Sequence, residues 1–483
     1  MNYGIVLRVL GSILKLEAVL MMPSLCIASY TDQADKFPFL ITIILTAALG
    51  FFLSFINRKC DRHIGIKEGL VIVSLCWVLA SIFGALPLYL SKSTPTYIDA
   101  FFEIVSGFTT TGATIIPNVE VLPMGILFWR SFTHWIGGMG ILVFTLILLP
   151  ALGIGGYQIY KFETTGPVAG KIAPKMKDTA KILYGLYLGI TILQVILLRV
   201  GGMTLFESLV YTFGTVGTGG FATKNASVGA YNSTYIHLVI ATFMMLSGVS
   251  FSLYYSLVRR KFKEFFGDEE LKLYFFILAG AVVAIGINLF FTSYNSLGLA
   301  FRDSYFQVSS IMTTTGYTTA DFDKWPTFSK AILLLLMVIG GCAGSTAGGM
   351  KVIRILVTLK MIKREVLKIF HPRAMSPVRV NTKPLQNETV AGIFSFTSLY
   401  LMIFALSTII VSLQGIDFES AISSVAATLS NIGPGFGFIG PTTTFSSFSP
   451  VLKLYLSFLM LIGRLELFTV FALLAPKNWR KEV

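Results

Sequence analysis

Four short polar segments rich in Gly and Thr interrupt a chain that is otherwise apolar enough for a lipid bilayer. They read TTTGAT (109–114), GTGGFAT (217–223), TTTGYTT (313–319) and NIGPGFG (431–437). Facing lipid, each would leave backbone N–H and C=O groups unpaired, so at membrane depth it must be buried in protein or line a watery path. The first glycines of the four cores, Gly112, Gly219, Gly316 and Gly433, recur at similar intervals. Four such segments from one chain predict a single four-sided path, the architecture of an ion selectivity filter.

The composition agrees with membrane residence. Of 483 residues, 54% are hydrophobic and 13% charged, the balance of a polytopic membrane protein. Apolar runs of about 20 residues, enough to cross a bilayer, recur with no long soluble stretch between them. Cys26, Cys60, Cys76 and Cys342 lie in or beside apolar segments without metal spacing and read as small buried hydrophobes. The N-terminal apolar stretch is broken by Arg8, Lys15 and Glu17, which predicts a retained helix rather than a signal peptide.

The formal net charge of +14 is unevenly spread. Lys and Arg number four in 58–67, five in 161–181, five in 259–272, nine in 351–383 and three in 477–481. Of the alternate connections, one holds Lys92, another Lys224 and the stretch 414–450 none. By the positive-inside rule the basic set is cytoplasmic and the Gly/Thr segments external. The basic surfaces would meet anionic lipid or a cytosolic partner. No basic patch sits on a soluble module, so nucleic acid is not an expected partner.

The predicted fold class is an all-α polytopic membrane protein with ten transmembrane helices. Two leading spans (5–30 and 37–56) precede four pseudo-repeats of helix, pore loop and helix around one central pore. First helices are expected at 69–90, 182–200, 273–291 and 391–413, and second helices at 123–149, 233–258, 327–362 and 451–474. Domain limits follow as 1–66, 67–160, 161–262, 263–372 and 373–483. Ten spans place both termini in the cytoplasm. Short amphipathic helices at 97–109, 204–215, 302–312 and 418–429 each carry an acid near the start: Asp99, Glu207, Asp303 and Glu419. A carboxylate suits a helix N-terminus. The negative C-terminal ends would then converge on the glycine segments and favour a cation; ordinary helix-start acids are the alternative.

A dehydrated cation needs oxygens in place of its water shell. Consecutive carbonyls facing one way require unusual dihedrals, which glycine reaches without a Cβ penalty, while Thr adds hydroxyl oxygens. A single TTTG would read as a helix C-cap; four copies, each after a short helix and before a span, read as a filter. The second and fourth segments depart from TTTG. Gly217 and Thr218 replace two threonines in one, and Asn431 and Ile432 replace them in the other, predicting an asymmetric pore with an incomplete hydroxyl ring.

The residues FTTTGAT, GTGGFAT, TTTGYTTAD and NIGPGFG resemble the four pore loops of the Trk/Ktr/HKT superfamily of potassium transporters. The two leading spans make the chain similar to the TrkH-type membrane subunit. The resemblance covers essentially the whole chain. It implies a symporter-like superfamily member that is a gated, channel-like K⁺ uptake protein of the plasma (inner) membrane. It further implies a homodimer regulated by a cytosolic nucleotide-binding ring of the TrkA type, with K⁺ as the bound ion and no organic cofactor in this chain. The implied K⁺-binding residues are Thr110, Thr111, Gly112, Thr218, Gly219, Gly220, Thr314, Thr315, Gly316, Tyr317, Asn431, Ile432 and Gly433. In this family a Ser in place of the first filter glycine goes with Na⁺ transport; Gly stands at all four positions here.

The second span of the third unit is interrupted by IGGCAGSTAGGMK (339–351). So many glycines cannot sustain a helix, and a break at membrane depth must again be buried or line a cavity. A P-loop is excluded because Met350 stands where its Lys is required and no Ser or Thr follows Lys351. Close helix packing through small residues remains an alternative. The resemblance implies a gating loop at Gly340, Gly341, Gly344, Ser345, Thr346, Gly348 and Gly349. Arg464, centred in the last span, costs at least about 3 kcal/mol if it faces lipid and must face the interior or water. The alternatives are a structural pair with Glu466 and, by resemblance, a positive barrier in the pore beside the loop. Lys351, Arg354, Lys360, Lys363, Arg364 and the stretch His371 to Ala374 form the expected surface for a regulatory partner or for anionic headgroups.

An enzyme is not indicated. His63, His134, His237 and His371 lack metal spacing. Arg130 and His134, flanked by Trp129 and Trp135, read as interfacial anchors. Few carboxylates are expected inside the spans, which argues against proton coupling.

Overall fold

The computed structural model describes residues 1–57, 64–140, 176–371, 377–465 and 467–474. Among them the regular structure is helical apart from one two-stranded hairpin. The leading region is α1 (Tyr3–Leu20), α2 (Met22–Thr31) and α3 (Lys36–Ile56). The single leading span expected at 5–30 is two helices, because Pro23 in the first turn of α2 lacks the N–H that continuity requires. Cys26 faces outward rather than inward, whereas Cys76 and Cys342 are buried; Cys60 and His63 lie outside the described residues.

The expected first helices of the four units are each continuous: α4 (Ile66–Leu90), α7 (Met176–Val200), α12 (Glu269–Thr292) and α16 (Asn387–Ser412). With α3, their apolar cores make five helices long and apolar enough to cross a membrane. The second helices of the first three units are not continuous over the expected ranges. In the first unit α6 (Met124–Gly138) stops short of the expected 149, and 141–175 lie outside the described residues. In the second unit α9 (Thr234–Ser247) and α10 (Phe251–Val258) meet at 95°. In the third, α14 (Thr327–Ile339) and α15 (Val352–Phe370) flank the glycine-rich interruption. In the fourth, α18 (Pro450–Leu465) precedes α19 (Leu467–Leu474).

The short helices are α5 (Tyr97–Phe108), α8 (Leu205–Gly217), α13 (Leu297–Met312) and α17 (Phe418–Leu429). Each packs on the first helix of its own unit and on the second helix of another. The second-helix partners run in chain order and close on themselves: α8 against α6, α13 against α9, α17 against α14, and α5 against α18. A closed order of this kind buries all four short helices around a common axis. Their end-proximal residues are among the most buried, including Ser106, Val216, Ile311 and Ala427. Helix starts follow capping chemistry: Thr96 and Thr204 hydroxyls accept from Asp99 and Glu207 N–H, and the Asp417 side chain accepts from Ser420 N–H. The Ser420 hydroxyl, followed by that N–H bond, holds the Asp417 carboxyl below its ordinary value.

The acids are not one repeated device. In the fourth unit the capping acid is Asp417, and Glu419 is bound by Lys330 at 2.6 Å. α13 begins five residues before the expected 302, so Asp303 is not in its first turn; it pairs with Arg302 at 2.9 Å. Asp99 is buried and takes the Lys453 ammonium at 2.6 Å. Helix-dipole stabilisation of these acids is therefore mixed with ion pairing that ties elements together.

Candidate functional site: a ring of four glycine segments

Each short helix ends in the same way. Thr110, Thr218, Thr314 and Asn431 adopt the left-handed conformation, with φ of +56°, +57°, +56° and +58°. The next residue donates its N–H five residues back, at 2.8 Å in all four cases: Thr111 to Ser106, Gly219 to Gly214, Thr315 to Ser310 and Ile432 to Ala427. This is a Schellman-type stop. The left-handed residue is Thr or Asn, which costs roughly 1–2 kcal/mol that glycine would not. Its hydroxyl or amide is what that conformation presents beneath the segment.

The residue after next is again at positive φ: Gly112 (+76°), Gly220 (+82°), Gly316 (+83°) and Gly433 (+98°). The second segment is thus in a different register from the one expected from its first glycine. Gly220, not Gly219, corresponds to Gly112. Gly219 stands where Thr111 and Thr315 stand, and it is glycine for space, since a Cβ there would run into the His134 ring. The shifted register puts Thr218 level with Thr110 and Thr314. The hydroxyl layer expected to fail in two segments fails in one, at Asn431. Thr110 Oγ1 and Asn431 Oδ1 are buried without a hydrogen-bond partner among the described residues.

The four segments meet in a closed ring. A Cβ on Gly112 would strike the Gly219 carbonyl oxygen; on Gly220, that of Thr315; on Gly316, that of Ile432; and on Gly433 it would lie 2.7 Å from that of Thr111. Each glycine therefore abuts the carbonyl preceding the matching glycine of the next segment, in chain order and back to the start. A glycine is required wherever one backbone approaches another this closely. Above the ring an open cavity of about 120 Å³ is lined by all four glycines, Thr114, Thr318, Lys224 and Thr442.

Behind the ring lie the residues that the sequence placed wrongly. Arg130 and His134 are not interfacial: they are 1% and 0% exposed. Arg130 Nε donates to Glu103 Oε1 at 2.8 Å, and its guanidinium lies 4.1 Å from the Phe221 ring centre. Glu103 also accepts from Thr114 Oγ1 at 2.9 Å and from Ile115 N–H at 2.9 Å, so the ion pair grips the chain just past Gly112. His134 Nδ1 is 2.8 Å from the Gly107 carbonyl, and its Nε2 accepts from Phe221 N–H at 3.2 Å. That pattern assigns a neutral ring protonated on Nδ1. Tyr317 donates its hydroxyl to the Tyr211 and Phe221 carbonyls, both at 3.1 Å. Asn431 Nδ2 donates to Thr111 Oγ1 and to the Met460 carbonyl, both at 2.9 Å. Adjacent segments are thereby cross-braced by chemically different groups.

The brace at His134 gives a direct expectation. His134→Leu orphans the buried Phe221 N–H, while the Gly107 carbonyl keeps the Thr110 N–H, and should cost about 1–3 kcal/mol of unfolding free energy. Denaturant titration in mild detergent measures it; a cost under about 0.5 kcal/mol would leave the bracing account without support. His237, by contrast, is a loop contact, with Nε2 2.8 Å from the Tyr231 carbonyl.

Beneath the ring the interruption between α14 and α15 folds back as a compact loop. Gly348 N–H donates to Thr314 Oγ1 at 2.6 Å and Gly349 N–H to the Ser430 carbonyl at 3.0 Å. Thr346 Oγ1 donates to the Ser247 carbonyl at 3.2 Å, and Ser345 Oγ to that of Cys342 at 2.6 Å. The chain re-enters helix beside where it left, with Lys351 N–H donating to the Ile339 carbonyl at 2.8 Å and the Lys351 ammonium to the Ala347 carbonyl. Gly340 and Gly349 abut at these crossing strands, and Gly341 and Gly344 lie against the α9–α10 bend. Arg464 reaches this loop. Its Nη1 donates to the Thr346 carbonyl at 3.0 Å, and its Nη2 to the Gly137 carbonyl and to that of Gly138 at 2.9 Å. The guanidinium bridges the loop to the end of α6. Glu466, the alternative partner, lies outside the described residues, as do 372–376 of the expected basic surface, and Lys351 and Arg354 are buried rather than on it.

A helical membrane-embedded chain with a backbone-carbonyl ring, an oxygen layer and a loop beneath it has the parts of an ion pathway rather than of a reaction centre. Comparison with known proteins gives the family. The family model TrkH, described as "Cation transport protein", matches residues 35–481. The Trk system potassium uptake protein TrkH of Escherichia coli (strain K12) is 37% identical over the whole of both chains. That of Vibrio parahaemolyticus is 38% identical over 99% of this chain and all of its own. The crystal structure of the potassium transporter TrkH from Vibrio parahaemolyticus matches with a TM-score of 0.89, at 36% identity, over 99% of this chain and all of that one. The chain belongs to the TrkH family of cation transport proteins; it is a membrane transporter and not an enzyme.

Proposed function

We propose that this chain is the potassium-conducting subunit of an uptake system of the cytoplasmic membrane. The observation that carries the reading is the closed ring in which Thr111, Gly219, Thr315 and Ile432 carbonyls each abut the glycine of the preceding segment. Carbonyls fixed side by side replace the water around a cation. Thr110, Thr218, Thr314 and Asn431 supply a second oxygen layer, and K⁺ is the substrate held there. The curated relatives are potassium uptake proteins by name, which favours K⁺ over other cations.

In this reading the chain is ten spans in two leading helices and four pseudo-repeats, with the domain limits given above, both termini in the cytoplasm and the 120 Å³ cavity facing outward. The chain order in which short helices and segments close on themselves supports the repeats, and the Lys/Arg distribution supports the orientation. Conduction is gated flow down the electrochemical gradient, driven inward at about 2.3 kcal/mol per 100 mV. The loop at 340–351 occupies the path beneath the ring, and Arg464 adds a positive charge there while holding the loop. A cytosolic nucleotide-binding subunit of the TrkA type would act on the basic surface of α15, and two copies of the chain would pair as a homodimer.

The test is Rb⁺ influx, with Na⁺ as competitor, in a strain lacking its own potassium uptake. Influx that resists a large excess of Na⁺ is expected; equal Rb⁺ and Na⁺ entry would replace the reading with a weakly selective cation channel. For the gate, Arg464→Ala removes three hydrogen bonds from a charged donor, each worth about 1.5–3 kcal/mol. It should raise flux in the absence of any cytosolic partner at least tenfold. Unchanged basal and regulated flux would remove Arg464 from the gate.

A further inference from the structure

The first turn of α12 gathers contacts that the ring and the loop leave unexplained. Glu270 Oε1 accepts two backbone N–H groups, from Ala343 at 2.7 Å and from Ile353 at 3.1 Å. One donor lies near the start of the interrupting loop and the other in the first turn of α15, so a single carboxylate oxygen pins both ends of the loop to one helix. Its neighbours face the other way. Glu269 Oε2 takes the Lys360 ammonium of α15 at 2.5 Å and the Asn381 N–H at 3.0 Å. Asp268 Oδ2 takes Asn381 Nδ2 at 2.7 Å, and Asn381 Oδ1 in turn accepts the Glu269 N–H at 2.9 Å. Asn381 heads the turn of the hairpin formed by β1 (Arg379–Val380) and β2 (Lys383–Pro384), where Asn381 and Thr382 are both at positive φ, as a tight two-residue hairpin turn demands.

Three consecutive acids thus join three elements: the hairpin, the basic helix α15 and the loop. We propose that this turn is the joint through which a load on the basic surface reaches the loop, and that Glu270 is the positioning residue that keeps the loop seated under the ring. The proposal rests on the reading of the loop as the gate. A carboxylate accepting two amide N–H groups is a charge-assisted contact, stronger than a neutral one. It is also directional: tilting the first turn of α12 draws Ala343 and Ile353 with it. Because Gly348, five residues beyond Ala343, donates to Thr314, displacement at Glu270 is transmitted within one short loop to the oxygen layer. Coupling of this kind is established by showing that two changes are not independent.

The experiment is Rb⁺ uptake into liposomes holding the purified full chain without partner. Glu270→Ala should raise uptake at least tenfold over wild type. Glu270→Gln, of the same shape and with an oxygen still able to accept, should lie between the two and guards against a folding defect in the first variant. Asn381→Gly keeps the turn and removes only the side-chain bridge; it should give a smaller rise alone and none on the Glu270→Ala background. Glu270→Gln flux no higher than wild type overturns the anchor. Arg464→Ala, measured beside it, separates the two readings: a rise there with none at Glu270 leaves the gate standing without this anchor, and no rise at either removes both. Additive effects of Asn381→Gly and Glu270→Ala overturn the joint.

Discussion

On the proposed reading of the ring as a K⁺ site, Gly316→Ser should lower preference for Rb⁺ over Na⁺ by tenfold or more. Gly316 has φ +83°, and a Cβ there runs into the Ile432 carbonyl oxygen while sitting 2.8 Å from Pro434 Cδ. Neither obstacle can yield cheaply. Pro434 has a fixed φ, and Ile432 is held by its own N–H bond to Ala427 at 2.8 Å. The carbonyl must therefore move, and it is one of the four that form the ring. A change of about 1.4 kcal/mol in the difference between two ion affinities is a tenfold change in preference, less than the strain of an L-residue in this conformation and one collision combined. Gly415→Ser is the control. It sits at φ +77° with nothing within 4 Å of an added Cβ, so it carries backbone strain without the collision and should leave competition by Na⁺ unchanged. Rb⁺ influx in Gly316→Ser that resists Na⁺ as in wild type would mean that this carbonyl does not select the ion.

What could be read from the sequence was local. The segments, the short helices before them and the intact first helices each leave a signature of composition or period within about 25 residues. The helix expected at 418–429 is α17 residue for residue, since Asp417, Glu419 and the Gly433 segment bracket it. The interruption after α14 was legible because five glycines fall between 340 and 349. The bend after α9 was not, because Gly248 is a lone glycine in apolar sequence and the 95° turn depends on neighbours, including the Cys342 N–H that donates to the Gly248 carbonyl at 2.9 Å. The register of the second segment was missed for a related reason. Two adjacent glycines look alike in sequence, yet Gly220 is needed for its dihedral and Gly219 for the room its neighbour His134 takes.

Arg130 and His134 were misread because tryptophans beside them supplied a plausible interfacial setting, while the groups that bind them, Glu103, Gly107 and Phe221, come from α5 and from the second segment. No periodicity links residues so far apart. A signal was available nonetheless. Glu103 is a carboxylate on the apolar side of a short membrane helix, and an ionisable residue within a membrane segment implies a partner facing the bundle interior.

That pair carries the largest expected effect on stability. Removing either charge alone, by Glu103→Leu or Arg130→Met, strands the other at 0–1% exposure and should cost about 3–5 kcal/mol of unfolding free energy. The exposed pair Lys330–Glu419, with side chains 20% and 48% accessible, is the comparison, and Glu419→Ala should cost about 1 kcal/mol or less. Replacing both members distinguishes charge from shape. In Glu103→Gln with Arg130→Met, the amide oxygen can still accept the Ile115 N–H and no charge is left buried, so the double variant should be more stable than either single one. It should still fall below wild type, because a neutral acceptor is weaker than a carboxylate and the guanidinium over the Phe221 ring is gone. Denaturant titrations in one detergent rank the five proteins. Singles costing no more than Glu419→Ala would mean that the buried pair is not what holds the first segment. A double variant as damaged as the singles would place the contribution in the packing of the Arg130 side chain rather than in its charge. Because Glu103 grips Thr114 and Ile115, two and three residues past Gly112, the same order should reappear in Na⁺ competition. On the proposed reading, the four carbonyls hold an ion at fixed distances only while the chain behind each of them cannot relax.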